Sequence, residues 1–505
     1  MAFKSPAEAT IPELQSAMES GRTTSLRLVQ WYLRSIQKID RGGPRLRSIV
    51  ELNPDALEIA RKLDEERRER GSRGLLHGIP VVLKENIATT DKMETTAGSL
   101  ALLGSRPRHE AYVVRKLREA GAVIIGKANL SEWANFRSTV SPSGWSARGG
   151  QVRNPYVLDR SPCGSSSGSA VVVAANLTSV ALGTETDGSI LCPSSINGVV
   201  GVKTTLGLVS RTGVVPIAHS QDTVGPITRT VTDAAILLGA LVGVDSDDAS
   251  TRYSRGKYHR DYTKFLDSDG LRGARIGVPR EVYWGYSDKS DAIAEAAIKR
   301  MRQLGAKIVD PANIPTAKQM STSEDELTVT LHEFKADLNH YLSELEVSKV
   351  RSLKDVIAFN DRHRQKELKY FGQDLFLKAQ KTTNLNNRKY LKALKRNHLL
   401  SRQKGIDFVM SEYRLDALVA PTTSPAWVVD QIDGDHGLGG ASQPTALAGY
   451  PAITVPAGFA FGLPVGITLM GRAFTEPTLI RLAYAFEQGT RHRIPPKYKA
   501  TIPVQ

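Results

Sequence analysis

Short apolar runs alternate with amphipathic segments between residues 78 and 240. The runs 81–83, 123–125 and 199–202 consist of Val, Ile and Leu with a single glycine. Continuous apolar runs of this length favour strands that are buried on both faces of a sheet. Helical segments lie between them, for example 110–120, which precedes the second run. The alternation predicts an α/β core in which helices are layered on a sheet.

The first 75 residues predict three helices that pack outside this sheet. Thr10 and Glu13 have the spacing of a capping box at the start of a short helix. A second helix starts at Ser25, and a third begins at Asp55 and ends in the charged run 65–70. The apolar face of the second helix consists of Val29, Tyr32, Leu33, Ile36 and Ile39.

Length and composition favour one large soluble domain. The chain has 505 residues, 41% of them hydrophobic, and no linker or low-complexity tract divides it. The first residues lack the apolar stretch of a secretory signal, and no run of about 18 apolar residues could span a membrane. Cys163 and Cys192 are too few for a disulfide framework, which fits a reducing compartment. We expect a cytoplasmic protein, and a signal removed before Met1 stays an open alternative.

Positive charge is concentrated in residues 351–404. This segment holds 15 Lys and Arg against four Asp and Glu, a balance of +11 within a net charge of +15. Apolar residues are interleaved with the charges, which predicts amphipathic helices with a solvated basic face. A surface for nucleic acid, an acidic membrane or an anionic substrate is the alternative. The interleaved residues are Leu368, Tyr370, Phe371, Leu375, Phe376, Leu391 and Leu394.

Two Gly/Ser loops carry the candidate chemistry. Residues 163–170 read Cys-Gly-Ser-Ser-Ser-Gly-Ser-Ala, and residues 183–190 read Gly-Thr-Glu-Thr-Asp-Gly-Ser-Ile. The apolar segment 170–175 follows the first loop directly, so a flexible linker is disfavoured. A serine nucleophile needs a base. Lys84 is the best candidate, because the apolar run 79–83 before it would favour the neutral amine.

These segments resemble the amidase signature family. His77-Gly78-Ile79-Pro80 through Asn86 and the two Gly/Ser loops occur in the order typical of these enzymes. The similarity covers residues 10–240 and resumes at 420–422 and 449–452. Segments 131–137, 143–150 and 220–223 are most similar to the peptide amidase branch, which removes the C-terminal amide of peptides.

The resemblance assigns a role to each candidate. It implies that Ser189 attacks the carbonyl, that Ser165, 24 residues earlier, bridges to Lys84, and that Lys84 takes the proton. It also implies a cis peptide bond before Ser165. The turn before the nucleophile can aim backbone N–H groups at the developing oxyanion. This oxyanion hole consists of Thr186, Asp187, Gly188 and Ser189.

Two positions depart from the common family pattern. Asp187 replaces a small Gly or Ala, and Leu191 replaces the Arg that commonly follows the nucleophile. The loss of that positive charge argues against a small dianionic substrate. The candidates for substrate binding are Gly164, Ser166, Tyr370 and Phe371.

The family fold is a large mixed β-sheet covered by helices on both faces. We expect a single α/β domain with N-terminal helices in 1–75, a catalytic signature core in 76–240, a variable helical region in 241–405 and the rest of the core in 406–505. The resemblance implies no metal and no cofactor. The expected partner is a small-molecule or peptide amide, without nucleic acid, and the expected state is a monomer or homodimer.

Two other motifs indicate competing functions. Residues 164–168 also satisfy the G-x-S-x-G elbow of α/β-hydrolases, with Ser166 as nucleophile and His436 as its histidine, but the preceding residues 156–162 do not predict the required strand. Residues 121–128 mimic a P-loop but end in Ala128 instead of Ser or Thr, which favours a plain strand.

The function expected from the sequence is hydrolysis of a primary carboxamide through an acyl-enzyme. Peptide C-terminal amides or amino-acid amides are the first expectation, and fatty amides, aryl amides or carbamates are the alternative. An amidotransferase subunit that delivers ammonia to a tRNA-linked substrate is a further alternative, for which the 351–404 surface would dock the tRNA. A catalytically silent binding protein is disfavoured because all three triad positions are intact.

Overall fold

Eleven strands form one continuous mixed sheet in the computed structural model, which describes residues 5–502. The strands are β1 (Ile49–Leu52), β2 (Pro80–Lys84), β3 (Val123–Ala128), β4 (Trp145–Ser146), β5 (Gly150–Gln151), β6 (Val180–Glu185), β7 (Val200–Lys203), β8 (Thr223–Thr228), β9 (Arg275–Gly277), β10 (Lys307–Val309), β11 (Ala417–Pro421), β12 (Ala452–Ala460) and β13 (Leu463–Met470). Their order in the sheet is β1-β3-β2-β6-β8-β7-β12-β13-β11-β9-β10, and β4 and β5 form a separate hairpin.

The helices surround this sheet. They are α1 (Ile11–Glu19), α2 (Ser25–Ser35), α3 (Ala56–Arg70), α4 (Tyr112–Glu119), α5 (Ser167–Ala174), α6 (Leu191–Ile196), α7 (Val231–Leu241), α8 (Asp288–Gln303), α9 (Ala317–Ser321), α10 (Asp325–Glu344), α11 (Leu353–Arg362), α12 (Arg364–Glu367), α13 (Asp374–Gln380), α14 (Arg388–His398), α15 (Asp407–Glu412), α16 (Gln443–Ala448) and α17 (Glu476–Thr490). Short 3-10 or π turns occupy Ile36–Arg41, Leu100–Leu102, Glu132–Asn135, Ala249–Ser254, Thr263–Phe265 and Leu399–Ile406.

Strand direction changes where the catalytic segments meet. β2 pairs in parallel with both β3 and β6, whereas β6 pairs antiparallel with β8. The strands β7, β12, β13 and β11 continue antiparallel, and the edge strands β9 and β10 are parallel again. The carboxyl ends of β2 and β6 therefore lie side by side, which brings Lys84 and the Gly/Ser loop after β6 to one edge of the sheet.

The sheet is covered on both faces, as expected. Val81 and Leu83 belong to one hydrophobic cluster and Val82 to another, because successive strand residues point to opposite faces. The first cluster includes residues of α7, α8 and α17, and the second includes residues of α2, α3 and α5. Each fully buried aliphatic side chain stabilises the fold by roughly 1.5–3 kcal/mol, so both layers are needed.

The N-terminal helices begin where the sequence predicts them. Thr10 and Glu13 form the capping box of α1, and α3 follows Asp55. Thr24 caps α2, and Asp64 of α3 accepts bonds from the N–H groups of Ser25 and Leu26 at 2.7 and 2.9 Å. The three helices therefore form a connected layer outside the sheet.

Helices α10 to α14 form a layer with its own hydrophobic core, called here the helical layer. Phe334 of α10 stacks on Phe376 of α13 with ring centroids 5.2 Å apart, and Phe136 lies 4.9 Å from Phe334. On α14, Tyr390 and Ala393 are buried while the basic side chains around them are exposed. This is the amphipathic arrangement with a solvated basic face that the sequence predicts for residues 351–404.

The part of the chain between residues 5 and 502 contains no helix that is both long enough and apolar enough to cross a bilayer.

Replacing Phe334 by Ala tests the core of the helical layer. The ring is fully buried, so we expect the free energy of unfolding to fall by about 3–5 kcal/mol through lost burial and the cavity left behind. Urea denaturation monitored by circular dichroism measures the loss. The control is Phe461→Ala, because Phe461 is 74% exposed. Equal midpoints for the two variants would contradict the buried role of Phe334.

Candidate active site

Lys84 ends β2 and is fully buried. Its Nζ donates to Ser165 Oγ at 2.7 Å, to the Thr184 carbonyl at 3.0 Å and to Thr184 Oγ1 at 2.9 Å. Asn86 Nδ2 donates to the same Thr184 hydroxyl at 3.0 Å. The lysine amine is therefore held by three oxygen atoms, one of them the hydroxyl of the predicted bridging serine.

Burial shifts the protonation equilibrium of this lysine. Desolvation lowers the pKa of Lys84 from 10.5 to about 7, although the carboxyls of Glu185 and Asp222 act in the opposite direction. A substantial fraction of the amine is neutral near pH 7, and only a neutral amine can accept a proton.

The two Gly/Ser loops lie against each other. The Ser166 N–H donates to the Ser189 carbonyl at 3.1 Å, and the Ser131 N–H donates to the Ser165 carbonyl at 3.1 Å. Ser165 is fully buried, and Ser189 is 9% exposed. The peptide bond between Gly164 and Ser165 is cis, as the resemblance implies. The structure thus brings Lys84, Ser165 and the Ser189 loop into one site.

Gly164 and Ser166 shape the loop around Ser165. A Cβ at Gly164 would overlap Ser131 Oγ, so any other residue there would have to displace that hydroxyl. The Ser166 hydroxyl is fully buried and donates to the Thr184 carbonyl at 3.1 Å. Their predicted contact with substrate stays a prediction, and the bonds described here hold the loop against β6.

Glu185 anchors the turn that carries the nucleophile candidate. Its Oε2 accepts bonds from the N–H groups of Ile190 and Leu191 at 2.6 and 2.9 Å, at the start of α6. Desolvation raises the pKa of this buried carboxyl. Gly188 has φ of 78°, a left-handed conformation that favours glycine. Glu185 was not among the residues predicted from the sequence, and the available signal was a carboxylate six residues before the helix that starts at Leu191.

A disulfide joins Cys163 to Cys192. Cys163 precedes the bridging-serine candidate by two residues, and Cys192 follows the nucleophile candidate by three. The cysteine count predicted no such bond, because the two cysteines approach only after the loops have packed together. The link ties the Ser165 loop to α6, and it removes the cysteine count as an argument for a reducing compartment.

A cavity of about 570 Å³ reaches this site from the surface. Its inner wall includes Asn86, Thr184 and Thr186, and its apolar lining includes Val215 and Tyr341. Two arginines, Arg108 and Arg211, and three histidines also line it. Six carboxyl groups face them, so the lining is acidic in a chain of net charge +15. The carboxyls belong to Glu110, Asp222, Asp247, Asp248, Asp337 and Glu344.

Tyr370 and Phe371 do not line this cavity. Both rings contact Trp145, with centroids 5.5 and 5.2 Å apart, and Phe371 is buried. The guanidinium of Arg137 stacks over the Phe371 ring at 3.9 Å and pairs with Glu132. The two aromatic residues pack in this buried cluster, and their contact with substrate stays a prediction.

The structure does not support the competing motifs. Residues 156–162 contain isolated bridges but no strand leading to Ser166, and His436 is exposed and pairs with Asp430 at 3.0 Å. The P-loop mimic is the buried strand β3, as its sequence favours.

One cluster in the described residues has metal-ligand geometry. Candidate ligand atoms of His219, Glu333 and Asp337 lie within 4.8 Å of one another. Glu333 already accepts bonds from Ser220 and Tyr390, and Asp337 accepts from the His219 N–H at 3.0 Å. These partners account for the carboxylates as hydrogen-bond acceptors within the protein.

The large mixed sheet and the helices on both its faces define the fold of an amide hydrolase, and comparison with known proteins agrees. The sequence matches the amidase family over residues 27–480, and the chain belongs to this family. It is an enzyme that hydrolyses amide C–N bonds.

Individual relatives span nearly the whole chain. The crystal structure of native peptide amidase from Stenotrophomonas maltophilia is 51% identical with a TM-score of 0.92, covering 98% of this chain and 99% of that one. A probable amidase of Arabidopsis thaliana is 46% identical over 98% of this chain and 92% of its own length. A glutamyl-tRNA(Gln) amidotransferase subunit of Exiguobacterium sibiricum is 34% identical over 96% of this chain and 98% of its own length.

Replacing Glu185 by Gln tests the anchor of the nucleophile turn. We expect kcat for amide hydrolysis to fall roughly tenfold, because a hydrogen bond to a charged group contributes about 1.5–3 kcal/mol and about 1.4 kcal/mol corresponds to a factor of ten. The matched control is Glu476→Gln, because buried Glu476 accepts a backbone bond from Thr205 at 2.6 Å. It should lower stability but leave kcat unchanged. Equal kcat values for the two variants would argue against an anchoring role.

Proposed function

We propose that this protein is a serine amidase that hydrolyses a primary carboxamide to acid and ammonia through a Ser189–Ser165–Lys84 triad. The observation that carries the proposal is the 2.7 Å bond from Lys84 Nζ to Ser165 Oγ, made by a buried lysine whose pKa is about 7. A lysine in this state can accept the proton that a serine nucleophile must lose.

The first half-reaction forms an acyl-enzyme. Ser189 Oγ attacks the carboxamide carbon while its proton passes through Ser165 to Lys84. Backbone N–H groups of the turn 186–189 stabilise the oxyanion that develops on the carbonyl oxygen. The lysine then returns a proton through Ser165 to the leaving nitrogen, and ammonia departs.

The second half-reaction repeats the relay with water. Neutral Lys84 accepts a proton from water through Ser165, and the resulting hydroxide attacks the acyl carbon. Collapse of the second tetrahedral intermediate returns the proton to Ser189 Oγ and releases the acid. The enclosed site limits competing side reactions.

The C-terminal amide of a short peptide is the substrate class we favour. The 51% identity to a peptide amidase over 98% of this chain supports this choice. Leu191 and its neighbours leave no arginine beside the nucleophile to bind a dianion. Fatty amides, aryl amides and carbamates are the alternatives, because the same acyl-enzyme chemistry serves them.

A second candidate is a tRNA-dependent amidotransferase subunit. The 34% identity to such a subunit and the exposed basic side chains of α14 favour it. This candidate requires partner subunits, and its tRNA binding would weaken steeply with salt. Turnover of peptide amides by the isolated chain, together with no retention of tRNA at low salt, would remove it.

Ammonia release by the purified chain tests the proposed reaction. We expect turnover of peptide amides to exceed that of fatty amides, aryl amides and carbamates. Ser189→Ala and Lys84→Ala should each lower kcat by at least about 10³-fold, because removing the nucleophile or its base disables the whole relay. Ser246→Ala and Lys92→Ala are matched surface controls and should retain full activity. Activity that survives Ser189→Ala would disprove the mechanism.

The pH profile tests the role of Lys84 as a base. The protonated amine cannot accept a proton, so kcat/KM should fall about tenfold per pH unit below pH 7. It should level off above the lysine pKa of about 7. Initial rates with a peptide amide between pH 5 and 9 measure the profile. A rate independent of pH from 5 to 7 would show that the working base titrates elsewhere.

A further inference from the structure

Asp187 places a carboxyl group in the middle of the nucleophile turn. The side chain is exposed to solvent. Its carboxyl lies near that of Glu326, at the start of α10, and near Ser442, whose Oγ is 3.0 Å from the position of a Cβ at the adjacent Gly188. Two carboxyl groups therefore meet beside the nucleophile candidate, at a position where the family pattern has a small residue.

Two glutamine side chains hold Glu326 in this position. Gln221 Nε2 donates to Glu326 Oε1 at 3.0 Å, and Gln443 Nε2 donates to Glu326 Oε2 at 3.0 Å. Gln221 is 2% exposed, and its Oε1 is buried without a hydrogen-bond partner among the described residues. An unpartnered buried acceptor beside two carboxyl groups calls for a donor that the surrounding side chains do not supply.

A positive charge beside the pair would relieve the repulsion between its carboxyl groups. Desolvation and the nearby Asp187 carboxyl raise the pKa of Glu326 to about 8, because two adjacent carboxylates repel each other. The amine of Lys203 lies in the same region, but its Nζ donates to the carbonyls of Thr445 and Tyr450 at 3.0 and 2.6 Å.

The distance from the nucleophile limits the ligand. Asp187 precedes Ser189 by two residues, and two extended residues span at most about 7 Å. In a dipeptide amide, two residues also separate the N-terminal nitrogen from the carbonyl carbon that Ser189 attacks. An ammonium at that nitrogen could donate to both carboxyl groups while the amide carbon faces Ser189.

We infer that Asp187 and Glu326 form a subsite for the N-terminal ammonium group of a dipeptide amide. This inference rests on the proposed amidase function and adds a preference for charged over N-acylated substrates. The subsite would act mainly on KM, because the ammonium contacts are already made in the ground state.

A pair of dipeptide amides that differ only in this charge tests the subsite. Alanyl-leucine amide carries an ammonium group at pH 7, since α-amino groups have a pKa of about 7.7–8.0, and N-acetyl-alanyl-leucine amide does not. We expect kcat/KM of the wild-type enzyme to favour the charged amide at least about tenfold, mainly through KM. In Glu326→Gln and Asp187→Asn the preference should fall at least about tenfold.

Glu324→Gln is the matched control, because this exposed glutamate lies two residues before Glu326. It should keep the wild-type preference. A probe that needs no variant is inhibition of the wild-type enzyme by n-butylammonium compared with n-butanol, in which we expect only the cation to compete with the charged amide.

The outcomes separate this inference from the proposed function. If the N-acetylated amide is hydrolysed as well as the charged one, or if Glu326→Gln leaves the preference intact, the subsite is disproved while the amidase chemistry stands. If neither amide releases ammonia in a Ser189-dependent reaction, the proposed function itself fails.

Discussion

The burial of one lysine amine is the constraint on which the site depends. Lys84 can remain inside the protein because three oxygen atoms accept its hydrogen bonds, and it can act as a base because desolvation disfavours its charged form. Both conditions require β2 and β6 to be parallel neighbours, since only then does Thr184 lie beside the end of β2. The sheet topology thus sets the protonation chemistry.

Several independent bonds hold the two serine loops in register. The Ser166 N–H contacts the Ser189 carbonyl, Glu185 binds the first N–H groups after the nucleophile candidate, and the disulfide joins the flanking cysteines. Each restrains a different part of the turn, and the bonds of the Ser165 and Ser166 hydroxyls to Lys84 and to the Thr184 carbonyl add to these restraints. Such preorganisation is what acyl transfer requires, because the groups that stabilise charge must be in place before the charge develops.

The sequence predicted the elements better than the contacts between them. The apolar runs 81–83 and 123–125 predict β2 and β3. Within each strand, successive side chains lie on opposite faces of the sheet, as expected. Lys84 is predicted as the base from the apolar run before it and from a family resemblance, and this role stays a prediction. Glu185 and the Cys163–Cys192 bond were missed because both depend on the distance between loops, which is set only when the sheet assembles. Glu326 lies far from the nucleophile turn in sequence, and no local pattern connects the two.

The helical layer has a consequence for how this family diversifies. Its core around Phe334 is separate from the two clusters that flank the sheet, and its residues contribute to the cavity but not to the hydrogen bonds of Lys84. Mutations in this layer can therefore reshape the entrance while the sheet keeps the reactive groups in place. Changes in this layer would therefore alter which substrates enter, whereas changes in the nucleophile turn would alter both binding and reaction.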